Sequence, residues 1–241
     1  MQNSKIVVIP TYNEKENIEK MIRKVMSLPE YHILIVDDGS PDGTADIVKS
    51  LMSEYPGSLH IIEREGKLGL GTAYKAGFRW ALEHGYGYIF EMDADFSHNP
   101  DDLERLYKAC SEDGADMSIG SRYCKGIAVM DWPIGRVLMS YGASAYVRAV
   151  LGMKIYDSTA GFVCYTRKVL ETIDLDNIKM KGYGFQIEMK YNVYKAGFKI
   201  KEVPIVFVDR KEGVSKMSSS IFGEAFKGVI TLRFRNIKTK K

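Results

Sequence analysis

Short apolar runs alternate with amphipathic segments through the first half of this chain, and that alternation constrains the fold most. Runs with the length of buried strands lie at 5–9, 32–36, 59–62, 88–92 and 116–119. Segments with helical periodicity lie between them at 16–26, 46–54, 72–83 and 103–110. This order predicts an α/β fold with a mostly parallel central sheet and helices on both faces. Ligands of such sheets bind beyond the carboxyl ends of the strands.

The second half of the chain is less regular. Helical patterns lie at 134–151, 168–173 and 185–194, and strand-like runs lie at 161–165 and at 199–208, where Pro204 interrupts the second run. No internal repeat or linker separates this half from the first. We therefore expect a single domain over residues 1–241.

Composition excludes several classes of protein. A chain of 241 residues with 45% hydrophobic content can bury a full core, and a net charge of +3 is too small to indicate a nucleic-acid partner. Three scattered cysteines and four histidines without H-x-x-x-H spacing argue against structural zinc and suit a reducing cytoplasm. We expect no signal peptide, and no run approaches the ~18 apolar residues of a membrane-spanning helix.

An acidic pair follows the fourth predicted strand. Asp93 and Asp95 are two residues apart, so in extended backbone both side chains project to one face while Ala94 points away. Neighbouring carboxylates repel unless a cation lies between them, and Mg²⁺ is commonly held by one or two carboxylates plus substrate phosphates. The alternative, that the acids cap the next helix, fits Asp101 or Asp102 better.

Polar motifs follow other strands at the same predicted edge. Residues 10–14 (P-T-Y-N-E) follow the first strand and 37–40 (D-D-G-S) follow the second. The chain has no G-x-x-x-x-G-K-[ST] motif, and Gly69 and Gly71 lack the third glycine of a dinucleotide fingerprint because Tyr74 takes its place. Dinucleotide oxidoreductases and P-loop enzymes are therefore poor fits. A nucleotide can still bind through a metal at the acidic pair.

Several motifs together resemble a known family. The segments 8–14, 36–44 and 92–95 look like those of family-2 inverting glycosyltransferases. The segments 64–71, 120–123, 157–162, 182–189 and 208–216 narrow the resemblance to dolichyl-phosphate (polyprenyl-phosphate) mannose synthases. The match runs nearly end to end, and the later motifs are specific because generic family-2 enzymes lack them.

The resemblance implies a GT-A-type fold and inverting transfer of mannose from GDP-mannose to a polyprenyl phosphate. It implies a nucleotide-sugar half at about 1–120, an acceptor half at about 121–220 and a basic amphipathic end at 221–241. The implied nucleoside pocket comprises Pro10, Tyr12, Glu14, Val36 and Asp38. The implied ligands of Mg²⁺ or Mn²⁺ and the donor diphosphate are Asp93, Ala94 and Asp95. The implied phosphate contacts are Arg122, Arg210 and Lys216. Ser97 stands where many relatives carry glutamine, so we regard it as a weak metal ligand that water supplements.

The chemistry of a phosphate acceptor agrees with the implied transfer reaction. A phosphate monoester has its second pKa near about 6, so it is largely dianionic at neutral pH and needs no general base. The enzyme must instead bring two anions together, with a metal at Asp95 and arginines on the attacking phosphate. We expect Asp95, Arg122 and Arg210 to be catalytic. For Arg136, which precedes an apolar helix, substrate binding and helix pairing are equally supported.

Two C-terminal features bear on how the chain would bind the polyprenyl acceptor and its membrane. Residues 211–220 are polar and small, as in a mobile lid or a simple surface loop. A helical stripe (Phe222, Ala225, Phe226, Val229, Ile230) lies beside a basic tail. Such stripes usually pack on their own domain, but a basic amphipathic helix can also lie on anionic lipid. Many relatives carry C-terminal membrane-spanning helices. We expect peripheral binding at the cytoplasmic face, directly or through a small membrane partner.

Two alternatives stay open at this point. The same fold can use another donor such as UDP-glucose, because Asp38 accepts from guanine and uracil N–H groups alike. The chain can also be a catalytically silent nucleotide-binding subunit of a membrane complex. The intact set of Asp93, Asp95, Arg122 and Arg210 argues against the silent subunit.

Overall fold

The computed structural model of the chain describes residues 3–209 and 220–235. The strands are β1 (Lys5–Thr11), β2 (Tyr31–Asp37), β3 (Leu59–Glu63), β4 (Tyr88–Glu91), β5 (Met117–Ser121), β6 (Val129–Met130), β7 (Val163–Thr166), β8 (Ile200–Pro204) and β9 (Phe207–Val208). The helices are α1 (Ile18–Met26), α2 (Thr44–Leu51), α3 (Leu70–Glu83), α4 (Leu103–Ser111), α5 (Ile134–Leu151), α6 (Arg167–Thr172), α7 (Tyr183–Lys195) and α8 (Ser220–Phe234). The predicted elements are confirmed, with ends shifted by a few residues.

The central sheet is mostly parallel, as predicted. Within the described residues its strand order is β3-β2-β1-β4-β7-β5-β8. Strand β1 pairs in parallel with β2 and β4, and β5 pairs in parallel with β8. Strand β7 lies antiparallel between β4 and β5, which the sequence did not predict. Because two successive antiparallel pairings restore direction, β5 runs the same way as β4.

The central strands are buried on both faces, which explains their continuous apolar sequence. Ile6 and Val8 of β1 face one core, which helix α3 covers with Tyr74. Val7 and Ile9 face the other core, which helices α1 and α4 cover. This alternation follows from the two-residue repeat of strand side chains. Helices therefore lie on both faces, and the predicted fold class is confirmed.

Glycines allow elements of the fold to pack closely in two places. Gly77 lets α3 lie directly on β1, since a Cβ at this position would be 2.4 Å from Val8 Cγ1. Helix α8 packs on α5 and α7, where the Phe226 ring stacks on Tyr146 at 4.2 Å between centroids. The Met180 side chain fills the space between Gly184 on α7 and Gly228 on α8.

The predicted strand at 199–208 is two strands in the structure. Strand β8 ends at Pro204, which pairs with Ser121 of β5. The chain then leaves the central sheet, and β9 pairs with β6 in a separate two-stranded sheet. The interruption predicted at the proline is therefore a change of sheet. The predicted division of the chain into donor and acceptor halves stays a prediction.

Candidate active site

The carboxyl ends of β1, β2, β4 and β5 meet at one edge of the sheet. They are followed by Tyr12, Asp38, Asp93 and Arg122, respectively. Parallel strands end at the same edge, so residues that are distant in sequence become neighbours there. The motifs therefore open onto one rim, as their positions after the strands predicted.

A cavity of about 660 Å³ occupies this rim. The predicted site residues that line it are Pro10, Tyr12, Glu14, Asp38, Asp93, Ala94 and Asp95. Other lining residues were given no role by the sequence reasoning: Lys67, Lys179, Lys181 and Tyr183, together with Gly228, Thr231, Leu232 and Arg235 from the C-terminal end. Helix α8 thus forms one wall of the cavity. Val36 lies elsewhere: it is fully buried in the core against α3 and is not part of the lining.

A smaller cavity of about 80 Å³ adjoins the first and shares Asp93 and Asp95 with it. Ser97, Arg122 and Arg136 line this second space. The acidic pair therefore lies between the region of the predicted nucleoside residues and the region of the predicted phosphate-binding arginines. Arg210, Lys216 and the predicted lid at 211–220 lie outside the described residues, except for Ser220, which begins α8.

The acidic turn after β4 is held by its own backbone. The Ser97 backbone N–H donates to Asp95 Oδ1 at 3.1 Å, and the backbone between them turns through Phe96, whose φ is 58°. The Asp93 N–H donates to Nδ1 of His98 at 3.3 Å. Burial lowers the pKa of His98 to about 4, so the ring is neutral and carries its proton on Nε2. His98 stacks on Phe162. The sequence reasoning missed His98, and it included Phe162 in the motif 157–162 without giving it a role.

Arg122 is buried and forms a bidentate ion pair with Asp157. Its Nε and Nη2 donate to the two carboxylate oxygens at 2.7 and 2.6 Å, and Nη2 also donates to Thr159 Oγ1 at 2.9 Å. Burial opposes ionisation of Asp157, but the guanidinium prevails and holds the pKa of this carboxyl below its usual value. Asp157 belongs to the motif 157–162, yet sequence reasoning gave it no role.

Two other described arginines near the rim are also paired. Arg136 Nη1 donates to Asp209 at 2.9 Å, and its guanidinium lies 4.0 Å from the centre of the Trp132 ring. Arg64 Nε donates to Asp38 Oδ1 at 2.6 Å. The contact between Arg64 and Asp38 was not predicted, because 26 residues separate the partners along the chain.

A buried carboxylate attaches α8 to the rim. Glu188 on α7 accepts the backbone N–H groups of Lys179 at 2.9 Å and Met180 at 2.7 Å. Its other oxygen accepts from the Arg235 guanidinium. The 179–180 segment and the end of α8 therefore share one anchor beside the cavity. This contact explains why a C-terminal residue reaches a site built mainly from N-terminal strands.

The donor set at the acidic turn suits a hard divalent cation. Asp93 and Asp95 offer carboxylate oxygens at the cavity surface. Across residues 3–209 and 220–235, no group of three or more histidine, cysteine, aspartate or glutamate residues could hold a metal on its own. A cation here would take its remaining ligands from substrate phosphates and water, as Mg²⁺ commonly does.

Comparison with known proteins identifies the class. Residues 6–174 match the model of "Glycosyl transferase family 2", and the chain belongs to this family. It is 48% identical over 221 residues to the polyprenol monophosphomannose synthase of Mycolicibacterium smegmatis, covering 91% of this chain and 83% of that protein. It is 47% identical to the undecaprenyl-phosphate mannosyltransferase of Micrococcus luteus, covering 91% of this chain and 90% of that protein.

Solved structures confirm the fold. The crystal structure of glucosyl-3-phosphoglycerate synthase from Mycobacterium tuberculosis with Mn²⁺, UDP and phosphoglyceric acid is similar, with a TM-score of 0.67 and 19% identity. The similarity covers 95% of this chain and 76% of that one. In the described part of the chain, no helix has the length and apolar character needed to cross a membrane.

Proposed function

We propose that this protein transfers mannose from GDP-mannose to a polyprenyl phosphate with inversion at the anomeric carbon. The observation that carries the proposal is the Asp93–Asp95 pair, which lines a cavity of about 660 Å³ between nucleoside-type and phosphate-type residues. Ligand pockets usually have roughly 300–1,000 Å³, so a nucleotide sugar fits. Relatives at 48% and 47% identity whose names specify mannose and a polyprenol or its phosphate support the substrates.

The donor nucleoside is assigned to the β1–β2 side of the cavity. Pro10, Tyr12 and Glu14 supply its floor and wall, and Asp38 supplies an acceptor for base N–H groups. Arg64 occupies Asp38 Oδ1 and so fixes the orientation of the carboxylate. Val36 lies in the core, so its contribution is the packing beneath the pocket.

The acidic turn is assigned to a divalent cation, Mg²⁺ or Mn²⁺. Asp93 and Asp95 would hold it, Ala94 would leave room beside the backbone, and Ser97 would reach it only through water. When bound, such a cation neutralises negative charge on the diphosphate leaving group. The hydrogen bonds from Ser97 N–H and to His98 hold this turn in place before any ligand arrives.

The acceptor phosphate is assigned to the second space. One of its oxygens forms a bond to the anomeric carbon while the bond from that carbon to the GDP oxygen breaks, and the electron pair leaves with GDP. A dianionic phosphate has no proton to lose, which removes the need for a general base. Arg122 and Arg136 line this space and would orient the phosphate by charge-assisted hydrogen bonds. Arg210 and Lys216 are assigned the same task from sequence alone.

We place the protein on the cytoplasmic face of a membrane, bound peripherally. Helices α5 and α8 expose large apolar side chains: Ile134, Leu138, Met139, Phe226, Ile230 and Phe234. The predicted single stripe on α8 is divided, because Val229 is buried while Phe226 and Ile230 are exposed; Phe222 and Ala225 lie outside the described side chains. The exposed set suits lipid better than water.

Binding to vesicles tests this placement. Anionic vesicles should bind the protein at low salt and release much of it at high salt, because screening weakens the attraction of basic groups to the surface. Neutral vesicles are the control. Equal binding at both ionic strengths would contradict the proposal, and no binding without a second polypeptide would favour a small membrane partner.

A donor panel tests the reaction. Purified protein, undecaprenyl phosphate in detergent and Mn²⁺ are incubated with radiolabelled GDP-mannose or UDP-glucose, and the lipid product is extracted. We expect mannose to enter the lipid. Transfer only from UDP-glucose would replace the donor, and GDP binding without any transfer would support the silent subunit.

The variant D95N tests the role of the acidic turn. Transfer should fall at least about 100-fold, because an electrostatic contact to the leaving group is lost. D101N is the matched control, since Asp101 lies on the surface beyond the turn in an exposed pair with Lys24. Undiminished activity of D95N with Mn²⁺ would remove this assignment.

A further inference from the structure

Beneath the site, helix α7 carries a lysine without solvent contact. Lys190 is fully buried, and its Nζ donates to the backbone oxygen of Ala160 at 2.6 Å and to Gln186 Oε1 at 3.2 Å. Burying an ammonium group is unfavourable unless it is both hydrogen-bonded and paired with opposite charge. Methionine would fill a similar volume without that cost. The lysine therefore needs an explanation beyond packing.

On one side, Gln186 connects Lys190 to the strand that carries the acidic pair. Gln186 Nε2 donates to Glu91 Oε2 at 2.7 Å, and Tyr165 Oη donates to Glu91 Oε1 at 3.4 Å. Glu91 is fully buried and ends β4, two residues before Asp93. Among the charges that act on the buried ammonium group, Glu91 contributes the largest attraction, through space rather than by a direct ion pair. The network thus attaches α7 to the end of β4.

On the other side, Ala160 belongs to the segment 157–160, which binds the guanidinium group of Arg122. The side chains of Asp157 and Thr159 accept hydrogen bonds from the guanidinium. Glu202 of β8 accepts the Asp157 N–H at 2.9 Å and so anchors the start of this segment. Lys190 anchors its end through the Ala160 oxygen. Arg122 is therefore held by a segment whose two ends are fixed by buried or half-buried charges.

We infer that Lys190 is a positioning residue for the transfer reaction. Through Ala160 it sets the 157–160 segment that orients Arg122, and through Gln186 it keeps that segment in register with the Asp93 end of β4. The inference rests on the proposed function, which assigns Arg122 to a phosphate and the acidic turn to the donor. Lys190 itself touches no substrate and takes no proton in the reaction.

The kinetic test compares K190M with K195M, which makes the same replacement at an exposed position of the same helix. We expect K190M to lower kcat about 10–100-fold, since a displacement of about 1 Å in a positioned group has effects of this size. The KM for GDP-mannose should change less than about threefold. The control K195M should leave both constants unchanged.

A double-mutant cycle separates positioning from general damage. If Lys190 acts through Arg122, K190M should lower kcat much less in an R122K background than in the wild type. Independent damage would instead multiply the two losses. The variant E91Q/K190M removes both buried charges and guards against misfolding of K190M. We expect it to fold and still to lose kcat, because Ala160 has lost its donor.

A spectroscopic readout needs no turnover. The Nε–H of Arg122 is buried against Asp157, so its NMR signal should exchange slowly with water. Exchange should accelerate at least about tenfold in K190M and E91Q/K190M, because the segment that covers this bond is released. K195M should show the wild-type rate.

The outcomes distinguish the two proposals. If the wild type uses another donor or none, the proposed function fails, while the exchange measurement still tests Lys190. Wild-type kcat in E91Q/K190M, multiplicative losses in the cycle, or unchanged Arg122 exchange would each overturn the positioning role. Loss of kcat with non-additivity and faster exchange would establish it.

Discussion

Asp157 should be one of the most sensitive positions of the chain, because it is the buried counter-charge of Arg122. The variant D157N keeps the size and planar shape of the side chain but removes its charge. Both carboxylate oxygens accept from the guanidinium, and Oδ2 also accepts the Arg122 backbone N–H at 2.9 Å. The substitution therefore leaves a buried cation without its partner.

The magnitude follows from burial. The Asp157 side chain is 0% exposed and the Arg122 side chain is 7% exposed. Removing one partner of a buried pair typically costs about 3–5 kcal/mol, and asparagine keeps one acceptor oxygen, so we expect about 3 kcal/mol. For a chain of this length, 1 kcal/mol corresponds to roughly 2–4 °C in Tm, which gives a decrease of about 6–12 °C.

The assay is urea unfolding followed by circular dichroism at pH 7, with Tm from calorimetry. D113N is the matched control, since Asp113 pairs with Lys201 at the surface, where the two side chains are 52% and 45% exposed. Such exposed pairs contribute about 0–1 kcal/mol. If D157N lost no more stability than D113N, the buried charge of Arg122 would not depend on Asp157, and the reasoning would be refuted.

Two further predictions concern packing and pH. G77A should lower the free energy of unfolding in urea by about 1–3 kcal/mol, since its methyl group would meet Val8. The control G142A has open space around it and should be neutral or stabilising. Equal effects of the two variants would contradict this. Burial lowers the pKa of His32 and His60, so the unfolded state binds more protons below about pH 6.5. The free energy of unfolding therefore decreases as pH falls from 7 to 5, and this decrease should be smaller in the double variant H32Q/H60Q. A pH dependence of Tm equal to that of the wild type would refute the assignment.

Much of the fold could be predicted from the sequence because its strands are buried on both faces. Their continuous apolar runs stand out against amphipathic helices whatever the tertiary arrangement. The direction of β7 could not be predicted in this way. Its sequence V-C-Y-T has the same pattern in either direction, and its orientation depends on the path of residues 122–162.

The site was predictable where its residues follow strand ends in sequence, as Asp93 and Asp95 do. Its ion pairs were not, because no local pattern couples Arg122 to Asp157 or Asp38 to Arg64 across 35 and 26 residues. The α8 wall was missed for a related reason. Periodicity identifies the helix and its apolar residues, but not which side faces the cavity. That side is set by the packing of α8 on the rest of the fold, which turns Gly228, Thr231 and Leu232 toward the cavity.

The antiparallel strand also has a consequence for biosynthesis. Among the described strands, β4 pairs with β1 and β7, while β5 pairs with β7 and β8. On the ribosome, β5 therefore emerges without a neighbour, and one edge of β4 stays open until β7 is complete, about 45 residues after the end of β5. Assembly of the second half of the sheet has to wait for β7, so a pause in translation before residue 163 would prolong the exposure of two aggregation-prone edges.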